Sequence, residues 1–251
     1  MEIVKFKLPT RNYSKFGGFE VKMPRDNVIY PQVSKKGMWA KMEMKSLEKF
    51  IDTSKSYDLI DVGANVGLIT LYLNSKKNLI EQSYCIEPDD INFDCLQFNT
   101  KHLQNCNLFH FGLDKESGIK RFYKDIRNHG NNSLFKNQEL QDAGFAESSI
   151  KLTSVKKFFN QININRPIIF KSDTQGNDIT IINNIPHEVW NKIEYAVIEV
   201  WNMNDENLDI FLDRLSKFSR FIQGKTEITY DKVCENIKNL KQRQINLICG
   251  L

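Results

Sequence analysis

Tyr57-Asp58-Leu59-Ile60-Asp61-Val62-Gly63-Ala64-Asn65-Val66-Gly67, running on into Leu68-Ile69-Thr70-Leu71-Tyr72-Leu73, is the stretch that decides the fold. Its first six residues are a short β-rich run. Two glycines then punctuate a turn, and the apolar residues that follow have the character of a helix. Strand, glycine turn and helix in that order open a βαβ unit, and the rest of the chain repeats the alternation. Further strands are read at Tyr84-Cys85-Ile86-Glu87, which stops at Pro88, and at Asn107–Phe111, Pro167–Phe170 and Ile193–Trp201. A last one is read at Gln244–Cys249. Ile91, Cys95, Phe98 and His102 recur at helical spacing after a cap at Asp89, and Leu208, Phe211, Leu212, Leu215 and Phe218 do so after Asn204. The pattern predicts a largely parallel sheet flanked by helices.

Upstream, Met38, Trp39, Met42, Leu47, Phe50 and Ile51 form a helical stripe that leads into the first strand. Residues 1–56 are therefore expected to be an extension of short strands and a helix packed on the core, and residues 57–251 the main domain. Residues 115–150 carry the weakest signal for regular structure and are expected to be a functional loop.

The 251 residues, 41% of them hydrophobic and 26% charged, describe a globular protein large enough to need no disulfide or structural metal. No apolar run approaches the roughly 20 residues that span a bilayer, and no secretory signal is readable, so a cytoplasmic protein with no membrane partner is expected. Five cysteines without a C-x-x-C pair read as reduced thiols. Of the 35 basic residues, 12 lie within the first 56, spread rather than clustered, which disfavours a nucleic-acid partner.

The turn lacks the G-x-G-x-x-G of a dinucleotide site. Gly63 and Gly67 would let a ligand approach the backbone, with Ala64 and Asn65 between them and a helix start aimed at a carboxylate. Asp61 could meet an ammonium, and Glu87, at the end of the second strand, could accept both hydroxyls of a ribose. Carboxylate, ammonium and ribose together describe S-adenosylmethionine. Asp61 and Glu87 could equally be capping residues.

Asp61-Val62-Gly63-Ala64-Asn65-Val66-Gly67, then Ile86-Glu87-Pro88, then Lys171-Ser172-Asp173-Thr174-Gln175-Gly176-Asn177-Asp178 resemble the FkbM family of S-adenosylmethionine-dependent methyltransferases. The resemblance covers roughly residues 38–202, with departures from the family pattern at 172, 174, 175 and 178. It implies a class I, Rossmann-like α/β fold: a seven-stranded, mostly parallel sheet with one antiparallel strand, supplied by Gln244–Cys249. It also implies methyl transfer to a hydroxyl of a sugar, nucleotide-linked sugar or other small metabolite, in surface polysaccharide or natural-product biosynthesis. The by-product would be S-adenosylhomocysteine. Ile198-Glu199-Val200 matches an acidic position of the family, and Glu43 stands where the family often has an acidic residue that binds the cofactor.

Methyl transfer to oxygen needs a group that takes or orients the acceptor proton. Asp173, at the end of the fourth strand beside the switch point, is expected to do so, with Lys171 on the same side to orient it. His129 and His110 are alternative bases. Asp173, Asp178 and Glu199 form an alternative set of oxygen ligands for a divalent cation. Asp114 is expected at the adenine, or in a turn. In the 115–150 segment, Asn131, Ser133 and His129 are expected to bind the acceptor, and Lys115, Lys120, Arg121, Lys124 and Arg127 suit an anionic one; a carbohydrate is the other expectation. A catalytically silent cofactor-binding scaffold and an RNA methyltransferase are the rival readings.

Overall fold

The computed structural model describes residues 1–6, 19–36, 39–136, 144–201, 207–240 and 244–251. Strands β1 (Glu2–Phe6) and β2 (Phe19–Met23) pair antiparallel as a small separate sheet. Helix α1 (Ile29–Lys36) begins where Asp26 Oδ1 accepts from the N–H groups of Val28, Ile29 and Tyr30, and α2 (Lys41–Glu48) follows. Of the stripe expected here, Leu47, Phe50 and Ile51 are buried; Met38 lies outside the described residues.

Then come β3 (Tyr57–Val62), α3 (Leu68–Asn74), β4 (Ile80–Ile86), α4 (Asp90–Thr100) and β5 (Cys106–Phe109). All six residues of β3 are buried, as expected of a parallel strand covered on both faces. Asp89 caps α4 by accepting from Ile91 and Asn92 N–H. The buried face of α4 is Asn92, Phe93, Cys95, Leu96, Asn99 and Thr100. Of the stripe expected there only Cys95 is buried, while Ile91 is 38% exposed. The helix is rotated because α4 packs on β2 and under the glycine turn, which demands small and amide side chains on that flank.

The segment expected as a loop instead begins and ends in strands of a second sheet. β6 (Gly112–Asp114), β7 (Gly118–Asp125) and β8 (Phe145–Ser154) assemble in the order β6-β8-β7, with Gly118 paired to Leu152 and Asp125 to Phe145. The exposed first half of β7, Gly-Ile-Lys-Arg, has no apolar alternation to betray it, and its partner β8 is distant in the sequence.

The remaining elements are α5 (Val155–Phe159), β9 (Ile168–Ser172), α6 (Asp178–Asn183), α7 (His187–Trp190) and β10 (Ile193–Trp201). They are followed by α8 (Leu208–Leu215), β11 (Arg220–Gln223), β12 (Thr226–Ile228), α9 (Tyr230–Lys238) and β13 (Gln244–Gly250). Asn204, expected to cap α8, lies outside the described residues.

The main sheet runs β12-β11-β13-β10-β9-β3-β4-β5. β5, β4, β3, β9 and β10 are parallel, and β13 inserts antiparallel between β10 and β11. The expected antiparallel strand is therefore present, but the sheet has eight strands rather than seven. A two-residue turn with Gly224 at φ 64° folds β12 back on β11 and adds the extra edge.

Residue alternation divides the core into two layers. Tyr57 and Leu59 of β3, with Ile169 and Tyr195, face α1, α2 and α3 through Ile29, Met44, Leu47, Leu71 and Tyr72. Ile60, Val62, Phe170, Ile198 and Val200 face the layer of α5, α6, α8 and α9. The same alternation sends Asp61 and Lys171 toward the α1–α3 layer.

Candidate functional site

The turn after β3 is fitted too closely for side chains. Gly63 has φ 70° and Gly67 φ 86°, in the left-handed region that favours glycine. A Cβ on Gly63 would run into the carbonyl oxygen of Asp173, and one on Gly67 would lie 2.7 Å from Leu96 Cδ1. The N–H groups of Gly63 and Ala64 both donate to the Ile86 carbonyl, at 3.0 and 2.9 Å, which ties the turn to the end of β4. Asn65 N–H donates to Glu87 Oε2 at 2.8 Å, and Asp89 N–H to Glu87 Oε1 at 2.9 Å. Each Glu87 oxygen thus keeps a lone pair free. Burial pushes the Glu87 carboxyl up to about 7, against the opposing pull of the two N–H groups.

Beneath the turn Lys171 Nζ donates to the carbonyls of Gly63 and, at 3.3 Å, Val62, and lies 3.2 Å from Asp61 Oδ1. Asp61 Oδ2 accepts from Thr70 Oγ1 at 2.7 Å. Burial opposes the charge of Lys171, but the Asp61 and Asp173 carboxylates outweigh it and hold its pKa above the ordinary lysine value. The ammonium that Asp61 meets is therefore that of Lys171, and Asp61 is not among the residues lining the cavity described below. Lys171 does line it, but it holds the glycine turn rather than the side chain of Asp173.

Asp173 follows β9, its N–H bonded to the Val62 carbonyl. Its Oδ1 accepts from Gln175 Nε2 at 2.8 Å, and a hydrogen bond joins it to Glu199. Burial, then the charge of Asp173, holds Glu199 well above the usual carboxylate range. Trp201 Nε1 donates to Glu199 Oε2 at 2.8 Å. Asp178 turns elsewhere: it is buried against Ser172 Oγ and the Thr174 N–H, and burial raises its pKa to about 6. Asp173 and Glu199 lie together while Asp178 is held by Ser172 and Thr174, and among the described residues no group of three or more His, Cys, Asp or Glu side chains is placed to hold a metal ion.

Residues 125–135 cross above the turn as a strap. Asn65 Nδ2 and Asn92 Nδ2 both donate to the His129 carbonyl, at 3.3 and 3.0 Å. Asn131 Nδ2 donates to Asp125 Oδ2 at 2.9 Å. Lys124 anchors the neighbouring strand on buried Asp89 at 2.6 Å. Ser133 is fully buried, its hydroxyl donating to the Gln175 carbonyl at 2.6 Å; it does not line the cavity and serves as a tie between strap and β9 loop.

A cavity of about 690 Å³ lies between strap, glycine turn and α2. Glu43, Gly63, Ala64, Asn65, Glu87, His129, Asn131, Lys171, Asp173 and Glu199 border it, so the structure brings these expected residues together. Asp114 stays outside, its carboxylate bound by its neighbour's N–H and paired with Lys120 at 2.6 Å. His110 is outside too, stacked on Phe93 and 3.1 Å from Asp90, which removes it as a base. Asn92, Gln175, Asn246 and the apolar Phe122, Leu134, Ile150 and Leu152 are lining residues that sequence reasoning passed over. Gln175 stands within a recognisable motif, whereas Asn92 is brought in by α4, Leu134 by the strap and the others by strand pairing.

The wall holds unpaired polar atoms. Asn92 Oδ1, His129 Nδ1, Asn131 Oδ1, Asn132 Nδ2 and Thr174 Oγ1 are buried without a hydrogen-bond partner, and all five residues line the cavity. Buried polar groups are rarely left so, and their clustering beside Glu87 and an apolar slot fits a nucleoside, with several hydroxyls and one flat apolar face.

Residues 61–220 match the model of the methyltransferase FkbM domain. "Methyltransferase 1" of Beauveria bassiana (strain ARSEF 2860) is 25% identical over 191 residues, 64% of this chain and 75% of the relative. "Methyltransferase sdnD" of Sordaria araneosa is 21% identical over 223 residues, 70% of this chain and 86% of the relative. Among solved structures, Methyltransferase FkbM from Methylobacillus flagellatus KT aligns with a TM-score of 0.47 and 14% identity over 82% of this chain, and the match spans 50% of that chain. A Streptococcus mutans protein in complex with S-adenosylhomocysteine aligns with a TM-score of 0.43 and 13% identity over 85% of this chain and 100% of its own. The family match takes in well over half of the sequence, including the glycine turn, Glu87 and Asp173, so the chain belongs to the FkbM methyltransferase family and is an S-adenosylmethionine-dependent methyltransferase.

Proposed function

We propose that the protein transfers a methyl group from S-adenosylmethionine to a hydroxyl of a sugar or other small metabolite. The observation that carries this reading is that one cavity has Glu87 at one end and the hydrogen-bonded carboxyls of Asp173 and Glu199 at the other, with the glycine turn between. Glu87, with a free lone pair on each oxygen, would accept the ribose hydroxyls. The apolar slot of Leu113, Phe122, Ile150 and Leu152 would hold the adenine, and Asn92, His129 and Asn131 would meet the nucleoside rather than the acceptor. Glu43, which has no partner among the described residues, would take the ammonium that Asp61 cannot. Family resemblance alone supports a cytoplasmic role in building surface polysaccharides or natural products.

The cofactor supplies an already activated methyl group on sulfur. What remains for the chain is to align an acceptor oxygen and receive its proton. Asp173 would take or orient that proton, with Gln175 holding Oδ1 and Glu199 hydrogen-bonded beside it. Asp173→Asn keeps the shape and loses the basicity, so kcat should fall by about 10²–10⁴-fold while S-adenosylhomocysteine binding is nearly unchanged. Calorimetry with S-adenosylhomocysteine and steady-state methylation assays test both halves. Full activity of Asp173→Asn would remove Asp173 from this role.

A further inference from the structure

We infer that Asn131 and Asn132 of the strap read the base edge of the cofactor, Asn131 Oδ1 accepting from the adenine C6 amino group and Asn132 Nδ2 donating to N1. The site would then admit adenine and reject its deaminated counterpart, hypoxanthine. The inference rests on the cofactor reading above, in which the nucleoside lies between Glu87 and the apolar slot. Both asparagines line the cavity, and Asn131 Oδ1 and Asn132 Nδ2 are buried without a hydrogen-bond partner among the described residues. Neither amide can turn over. Asn131 Nδ2 donates to Asp125 Oδ2 at 2.9 Å, and Asn132 Oδ1 accepts from the Asp125 N–H at 2.9 Å. A carboxylate oxygen only accepts and a backbone N–H only donates, so the remaining atom of Asn131 is an acceptor and that of Asn132 a donor. Asp125 is itself buried and fixed, its Oδ1 accepting from the N–H groups of Arg127 and Asn128 at 2.8 and 3.0 Å.

The strap belongs to the same sheet as the slot. The N–H and carbonyl of Ser133 bond those of Tyr123, so the chain turns back along β7, and Leu134, two residues beyond Asn132, packs on Phe122, Ile150 and Leu152. A purine held there by its apolar faces presents its edge to the polar groups that border the slot. Along that edge of adenine the C6 amino group is a donor and the neighbouring N1 an acceptor, the complement of the acceptor and donor on the strap. Hypoxanthine has a carbonyl at C6 and an N–H at N1. It would set acceptor against acceptor and donor against donor, leaving the two buried amide atoms unpaired. Asp114, expected at the adenine, is outside the cavity and taken by its neighbour's N–H and by Lys120, so the base edge is not met from that side.

Titration calorimetry on the full chain compares S-adenosylhomocysteine with S-inosylhomocysteine, which differs from it only at C6 and N1. The wild type should bind the adenosyl form at least about a hundredfold more tightly, because a site built to pair with one edge is left with opposed groups by the other. Asn131→Leu and Asn132→Asp should each narrow that ratio at least about tenfold. A merely structural part in the strap would weaken both ligands alike and leave the ratio where it was. In a crystal structure of the S-adenosylhomocysteine complex, the C6 amino nitrogen and N1 should lie within about 3.2 Å of Asn131 Oδ1 and Asn132 Nδ2. A smaller ratio in the wild type, an unchanged ratio in variants that still unfold cooperatively, or a purine edge that meets neither amide in the complex would each overturn the inference. Failure of the wild-type chain to bind either ligand would instead overturn the cofactor reading beneath it.

Discussion

Glu87 is a carboxyl raised into the neutral range. Its carboxyl is pushed up to about 7 by burial, from an ordinary value of 4.5, so the folded protein keeps a proton there that the unfolded chain releases. The stability due to this group is therefore highest below pH 4.5, falls as pH rises toward 7 and stays lower above. Ribose hydroxyls donate to the ionised form, so binding should release a proton. S-adenosylhomocysteine affinity should weaken as pH drops below 7, by at most about tenfold per unit, and calorimetry at pH 6 to 8 in buffers of different ionisation enthalpy reads both effects. Gly63 is the residue with least freedom. Gly63→Ala would place a Cβ against the Asp173 carbonyl at a φ that alone costs about 1–3 kcal/mol, so urea denaturation should show at least that loss, together with loss of the cofactor's thermal shift. Lys171→Met would leave Asp61 buried without its counter-charge at a cost of about 3–5 kcal/mol; a double variant with Asp61→Asn should recover part of it.

At the scale of elements, the sheet β6-β8-β7 is the addition that shapes this site. Phe122 and Leu134 pack on Ile150 and Leu152, and the strap from Asp125 to Phe135 is pinned to the glycine turn, to α4 and to the β9 loop by Asn65, Asn92 and Ser133. Asn131→Ala and Asn92→Ala should therefore weaken S-adenosylhomocysteine binding and leave the acceptor KM unchanged. The opposite split, a higher KM with cofactor affinity intact, would return the strap to the acceptor side. The strap was legible as unusual in Asn128-His129-Gly130-Asn131-Asn132-Ser133, but not its side of the cavity, because that depends on Gly118–Asp125 pairing with Phe145–Ser154.

At the scale of the whole molecule, the two apolar layers hold the strand ends in register, and a ligand bound along that edge is bound only by the folded state. S-adenosylhomocysteine at a hundredfold excess over its dissociation constant should stabilise the chain by about 2.7 kcal/mol, seen as a rise in Tm in scanning calorimetry. No helix among the described residues is long and apolar enough to cross a membrane. The sequence by itself determined what depends on near neighbours along the chain: β3 and its glycine turn, β4 with Glu87 at its end, the cap at Asp89, β10, and β13 as a strand. Periodicity and turn chemistry act over a few residues, and these signals are complete within such windows. Tertiary structure alone decided which carboxylates are free. Asp61 and Glu87 look alike in the sequence, yet alternation turned Asp61 inward onto Lys171 of the neighbouring strand and left Glu87 at the edge, facing the cavity. Asn246 reaches the site only because β13 inserts antiparallel beside β10 and sets it opposite Glu199, a pairing between residues 47 positions apart that no local pattern encodes.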